Sequence, residues 1–406
     1  MRLGRVGFVA VVTAVMASSI AACATAPVAS RAPSSSSPAP TDRWQDALLA
    51  QPSAVTTAPS LEPGYECHPC HFLAENQLFG VVATGGTTIA VGVQQPPAQA
   101  VAFESVDGRR WAPLSGFTAA LGTTALAIAT NGRRSVIVGS APTGATSWAT
   151  LGAGGADWQQ APPQDDLRVA SAAGAMTSVT PFAGGFVAGG YRDDPLHATS
   201  AAATWRSSDG LVWHADDAAA FADGRIRGVA ASGETLVAVG TAGDPNYGPA
   251  AAWRWTATTG WQRARIVPDP AGAMRAVIAT PSGFVAVGLN GHDDGALAWT
   301  SSDGVEWTAA ADQPAFHYFS SPVRMQAVLS GPSGLVAAGW RSDAGKGSAV
   351  AWTSPDGRTW QGPAWETSFS GGQITGLASS EAGIVAVGRN GYPDWNQAAI
   401  WTAVRP

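Results

Sequence analysis

The chain has 406 residues, 46% of them hydrophobic and only 13% charged, with 48 glycines, 28 prolines and a net charge of −6. One lysine, Lys346, and the absence of any basic run exclude nucleic acid and argue against anionic lipid as partners. Three cysteines and no phosphate loop, His-Glu-x-x-His helix or Gly-x-Ser-x-Gly elbow remove the common motif-borne chemistries.

In chain order, the first segment is a targeting sequence. Arg2 and Arg5 precede an apolar run, Val6 to Ile20, too short for an ordinary membrane span. It ends Ile20-Ala21-Ala22-Cys23, which resembles the bacterial lipobox. The resemblance implies cleavage after residue 22, lipid on Cys23, and a membrane-anchored protein facing outside the cytoplasm. Losing Arg2 and Arg5 takes the mature net charge from −6 to −8. Residues 23–63, rich in Ala, Pro, Ser and Thr around Ser34–Ser37, read as a flexible tether, with a short helix at Asp42–Gln51.

Residues 64–406 are repetitive. The glycine closing an apolar run falls at Gly92, Gly139, Gly190, Gly240, Gly288, Gly339 and Gly388, a mean spacing of 49 residues. Met274 to Ala309 shows the unit: strands at Arg275–Ala279, Phe284–Gly288, Ala296–Thr300 and Val305–Ala309, separated by Gly, Pro, Ser and Asp. Seven such copies predict an all-β, seven-bladed propeller of four-stranded blades, filling 64–406 without room for a second domain.

The third and fourth strands meet at Ser105-Val106-Asp107-Gly108, Ser207-Ser208-Asp209-Gly210, Ser301-Ser302-Asp303-Gly304 and Ser354-Pro355-Asp356-Gly357, each followed by Trp. This resembles the Asp-box repeat of sialidases, sortilin-type receptors and many secreted bacterial propellers, with one extra residue between Asp and Trp. Copies two and four keep Trp158 and Trp261 but lose the Ser-x-Asp. The resemblance implies that Ser and Asp bond backbone within the hairpin and that Trp packs between sheets. The seventh copy stops after three strands, so an N-terminal segment must supply the fourth. Spacing favours Tyr65 over Trp44.

Cys67-His68-Pro69-Cys70-His71 is the most pointed chemical signal. A Cys67–Cys70 disulfide is the plain reading, beside a c-type haem or a metal held by Cys67, Cys70 and His71. It falls on the face carrying the loops between second and third strands, where propellers usually bind ligands. Those loops hold Arg192, Asp193, His197, Tyr247, His292, Arg341, Arg389, Tyr392 and Trp395 as ligand candidates. The Asp-Asp pairs there lack the alternating spacing of a calcium loop. An enzyme reading takes Arg227, Arg275 and Arg324 to grip a carboxylate, with Tyr318 as nucleophile and Glu366 beside it, as in a sialidase-like hydrolase of acidic sugars. The expected function is instead recognition without chemistry: a monomeric, lipid-anchored propeller binding a cell-envelope protein or glycan, without cofactor.

Overall fold

The computed structural model describes residues 55–57 and 76–404, apart from 152–156, 169–172, 195–198, 217–218, 222, 244–247, 269–271, 292–294, 319–320, 332–333, 344–345, 365–368, 382 and 392–396. By internal contacts the chain divides into Met1–Pro40 and Thr41–Pro406, and all described residues belong to the second unit. Strands dominate it, with short 3-10 turns at Asp165–Leu167, Ala219–Phe221 and Pro314–Phe316.

Seven sheets, each with four antiparallel strands, follow one another, each running from an inner strand outward. The inner strands are Gln77–Thr84, Thr124–Thr130, Gly174–Phe182, Arg225–Ser232, Gly272–Thr280, Val323–Gly331 and Gln373–Ser380, and blades are numbered by them. Each inner strand neighbours the next, and the last neighbours the first, so the chain forms a seven-bladed propeller.

The repeated glycine has a steric cause. Every inner strand bulges at the same place, after Leu78, Ala125, Met176, Ile226, Met274, Met325 and Ile374, and each of these residues pairs with its blade's glycine. The bulge turns the preceding carbonyl onto that glycine. A Cβ there would lie 1.8–2.0 Å from the oxygen in all seven blades, where no side chain fits.

The Ser-x-Asp-Gly turns are built as the sequence implies. In blade 3, Asp209 Oδ1 accepts the N–H of Leu211 at 2.8 Å and of Val212 at 2.9 Å, while Ser207 Oγ accepts from Gly210 at 2.7 Å. Blades 1 and 6 repeat the pattern around Asp107 and Asp356. The following Trp is buried: Trp111, Trp213, Trp307 and Trp360. The turn also locks blades together. Ser147 Oγ of blade 2 donates to the Gly210 carbonyl at 2.7 Å, and Thr402 Oγ1 of blade 7 donates to Gly108 of blade 1 at 2.6 Å.

These aspartates predict acid sensitivity. Burial pushes the Asp209 carboxyl up, but the Val212 and Leu211 N–H groups and the Ser207 hydroxyl outweigh it and hold it below 3.8. A depressed folded pKa means the contribution is complete above the unfolded value and fades as pH falls through the folded one. Asp209→Asn should therefore cost about 1 kcal/mol at neutral pH, and the difference from wild type should vanish in acid. Urea titrations across that range check it, and a pH-independent difference would contradict it.

A second series of tryptophans comes from the third strands. Trp148, Trp205, Trp253, Trp299, Trp352 and Trp401 are buried, with Phe103 in blade 1. Trp205, Trp253 and Trp352 donate their indole N–H to the connection entering their blade, at Asp166, Ala220 and Ala315. Those connections drop one apolar side chain inward, Leu167, Phe221 and Phe316 respectively.

An N-terminal strand closes blade 7, as expected, but at a different place. Val55–Thr57 pairs antiparallel with Gln397–Val404, Val55 opposite Trp401 and Thr57 opposite Ala399. These residues belong to the stretch read as tether and precede Tyr65 by eight or more positions. Tyr65 and Trp44 both lie outside the described residues. Spacing misled because it sought an aromatic marker, whereas strand pairing needs only backbone donors and acceptors.

Blade 5 also departs from four strands. Arg265–Val267, just after blade 4, pairs in parallel with Glu306–Thr308 and adds a fifth, outermost strand. Gln164 and Gln313 cover outer edges differently. The Gln164 side chain accepts from the Trp213 N–H and donates to the Leu211 carbonyl, and Gln313 does the same with Trp360 and Arg358. All three devices satisfy an otherwise open edge.

Candidate functional site

The loops between second and third strands share one face with the connections entering each blade, and the described ligand candidates gather there. The strongest grouping spans blades 3 and 4. Arg225, at the start of its inner strand, lies 3.9 Å over the Tyr191 ring and bonds both Asp193 carboxylate oxygens at 2.7 Å. Its Nε donates to Ser200 Oγ at 2.9 Å. Arg227 stands two residues on, at the bulge. Burial, and then the Arg225 charge, lower its pKa from the ordinary arginine value, while Tyr191 and Asp193 oppose the shift.

Arg192 and Arg341 occupy one frame, two residues after their blade glycines. Arg192 donates to the Asp166 carbonyl and lies 5.4 Å from the Trp205 ring centre. Burial depresses its pKa too, against the pull of Asp166. Arg341 is 5% exposed and stacks 3.9 Å from Tyr318. Both arginines thus pin the connection entering their own blade. Arg389 Nε donates to Gln373 at 2.9 Å.

The three arginines of the enzyme reading do not share one frame. Arg227 and Arg275 are the bulge residues of blades 4 and 5. Arg324 pairs with Trp340 just as Arg225 pairs with Thr241, so its equivalent is Arg225 and the bulge residue of blade 6 is Gln326. Arg324 lies 4.7 Å over Trp340. Tyr318 is engaged by Arg341, and Glu366 lies outside the described residues. So do Cys23, Cys67, Cys70, His71, His197, Tyr247, His292, Tyr392 and Trp395. Among the described residues, no group of His, Cys, Asp and Glu is arranged to hold a metal.

Sequence reasoning missed Tyr191, Arg225 and Trp340. A frame count would have found all three: Arg225 and Arg324 each precede their blade glycine by 15, and Tyr191 and Trp340 follow Gly190 and Gly339 directly.

A cleft of about 310 Å³ opens between blades 2 and 3, lined by Thr146, Gln160, Pro162, Gln164 and Leu167 among others. Gln164 is already committed to the outer edge of blade 3, while Thr143 and Arg168 also line the cleft. What the face offers as a whole is arginines and aromatics held rigid by their own contacts, a surface suited to binding with little ordering cost.

No family model matches the chain, and no curated protein matches it. Among solved structures, the fold is similar to YCF48 bound to D1 peptide, at TM-score 0.54 and 15% identity, covering 87% of this chain and 96% of that one. The β-propeller domain of the Trilobed protease from Pyrococcus furiosus gives 0.46 and 8%, covering 81% and 95%. A subtype N10 neuraminidase-like protein from A/little yellow-shouldered bat/Guatemala gives 0.41 and 9%, covering 86% and 99%. At 15% identity the likeness to the first of these shows the fold alone.

Proposed function

We propose that this chain is a membrane-anchored extracytoplasmic lipoprotein whose Asp-box-type propeller binds a protein or glycan of the cell envelope without catalysing a reaction. The observation that carries the reading is the preorganised loop face. Arg225 is stacked and forked between Tyr191 and Asp193, and Arg341 is stacked on Tyr318. Groups pinned this way hold the loop face in one shape, so a ligand binding there has little side-chain ordering to offset. A propeller of similar fold has been solved with a peptide bound, which makes a protein ligand the first to seek. Lipidation at Cys23 and a Cys67–Cys70 disulfide complete the proposal.

The hydrolase reading remains second. It asks Tyr318 to attack a sugar, whereas Arg341 uses that ring as a platform. Arg275→Ala separates the two. Under the binding reading it leaves the protein folded and lowers affinity by no more than about tenfold. If the purified protein cleaves an acidic glycoside and this substitution abolishes the cleavage, the binding reading fails.

The test of the main proposal has two arms. Intact mass of protein extracted from membranes should show lipid on Cys23 and a mass two hydrogens below the reduced form. Photo-crosslinkers at the exposed loop-face positions Gln95 and Thr143 should trap one partner, and crosslinkers at Thr258, on the opposite face, should not. Equal trapping from both faces would refute a loop-face binding site.

A further inference from the structure

We propose that the cleft between blades 2 and 3 receives an extended peptide segment of the loop-face partner, seating one aliphatic side chain and pairing an adjacent Asp or Glu with Arg168. The segment belongs to the partner proposed above, so this assignment rests on loop-face binding and names the chemistry that binds.

The cleft exists because the face has a step there. Trp148 follows Gly139 by nine positions, whereas the same interval is 11 to 15 in the other blades, counted to Phe103 in blade 1 and to the third-strand Trp elsewhere. Blade 2 therefore turns back early: Ala141 pairs with Gly144, with only Pro142 and Thr143 between them. The corresponding strands of blade 3 run on to the pair Asp194 and Thr199. Behind so short a hairpin, the connection entering blade 3 forms a wall. That wall is fixed in place. Gly144 and Arg168 form an isolated antiparallel bridge, and the Ala161 N–H donates to the Ser147 carbonyl at 2.8 Å. Pro162 and Pro163 are exposed along it. The 3-10 turn Asp165–Leu167 sets Leu167 in the floor, 4% exposed.

Charge and hydrogen bonding decide what fits. Arg168 is the one charged side chain in the described lining, and its guanidinium makes no hydrogen bond or ion pair among the described residues. Neighbouring acids are engaged elsewhere: Asp166 faces His214 at 3.4 Å, and Asp193 is bridged to Arg225 at 2.7 Å. Asp165 is exposed in the same turn but does not line the cleft. Gln160 donates to Thr146 and Gln164 is spent on blade 3, which leaves the Thr143 hydroxyl and Arg168 for a ligand. The remaining lining is Ala, Pro and Leu, with no aromatic ring on which a sugar could stack. A volume of about 310 Å³ is at the small end of ligand pockets. It suits one aliphatic side chain with the backbone around it, the way a peptide is read by a side-chain pocket. A carboxylate next to that side chain meets an unspent guanidinium.

The experiment titrates the full, host-processed and methyl-labelled chain with the peptide acetyl-Ala-Pro-Leu-Glu-Ala-amide, read by NMR. The methyl signals of Thr143, Ala161 and Leu167 should shift saturably, and those of Leu236, buried in blade 4, should not. Ala in place of the peptide's Leu should weaken binding by about tenfold. Arg168→Gln should cost about fivefold against the Glu peptide and nothing against the same peptide carrying Gln. Thr143→Tyr, at an exposed position that tolerates bulk, should close the cleft and remove the shifts. No shift at Leu167, equal losses with the Glu and Gln peptides, or shifts given by chitotriose and not by the peptide would overturn the assignment. So would a partner trapped from Gln95 whose capture neither Arg168→Gln nor Thr143→Tyr alters, an outcome that leaves loop-face binding intact. Failure to trap any partner from Gln95 or Thr143 in the unaltered chain sinks loop-face binding and this assignment with it.

Discussion

Gly240→Ala should be among the most damaging single-methyl additions available in this protein, at least ~3 kcal/mol. The added Cβ would sit 1.8 Å from the Arg225 carbonyl oxygen and 2.9 Å from its carbonyl carbon. Neither atom can retreat without undoing the bulge between Ile226 and Gly228, which sets the register of the whole inner strand. The same strand carries Arg225 and Arg227, so the damage should reach the loop face before the blade unfolds. Gly86→Ala makes the control. Its backbone sits at φ +82° but a Cβ there meets nothing within 4 Å, so only the left-handed penalty of about 1–2 kcal/mol applies. Urea unfolding of both variants decides the matter. Similar losses would mean that backbone conformation, and not the close approach, explains the sevenfold glycine.

The contrast between these two glycines also explains what was legible in the sequence. A glycine forced because a Cβ there would lie 1.8–2.0 Å from a carbonyl oxygen recurs in every blade, because the bulge does. Its period therefore announced the fold. The Ser-x-Asp-Gly turns were legible for the same reason, since each solves a hairpin within seven residues. Long-range pairings left no such mark. Val55–Thr57 meets blade 7 through backbone bonds that any sequence supplies, and Arg265–Val267 joins a strand 41 residues away. The arginines of the loop face were visible as residues but not as partners. Arg324 looked like an imperfect copy of Arg227, when register makes it a true copy of Arg225. The candidate ligand residues on loops were the least legible, since no repeat constrains them.

Asp216→Ala should be the most destabilising charge removal in the described protein, at about 2–4 kcal/mol. The reason lies in a gap in the repeat. Blade 4 has no Ser-x-Asp, and its turn runs through Thr256 and Thr259, whose hydroxyls bond each other at 2.8 Å. In blades 1, 3 and 6 the outer-strand tryptophan donates to its own turn, as Trp360 does to the Gly357 carbonyl. Trp261 instead donates to Asp216 Oδ2 of the preceding blade at 2.8 Å. The same carboxylate accepts from Thr204 at 2.9 Å and from Arg206 Nε at 2.9 and 3.1 Å. One aspartate therefore serves three donors on two blades, with Arg206 stacked 4.1 Å from Trp255 of blade 4. Alanine would strand all three. At 21% side-chain exposure the carboxylate is partly screened, which keeps the expected loss below that of a fully buried pair. Asp216→Asn should fall between, because it keeps an acceptor for Trp261 but loses the charge facing Arg206. Arg206→Leu in the Asp216→Ala background should recover part of the loss, since it removes the stranded cation. A purely additive double mutant would show that Arg206 and Asp216 act separately, and an additive Asp216→Ala with Trp261→Phe pair would show that Asp216 is no clamp between blades 3 and 4.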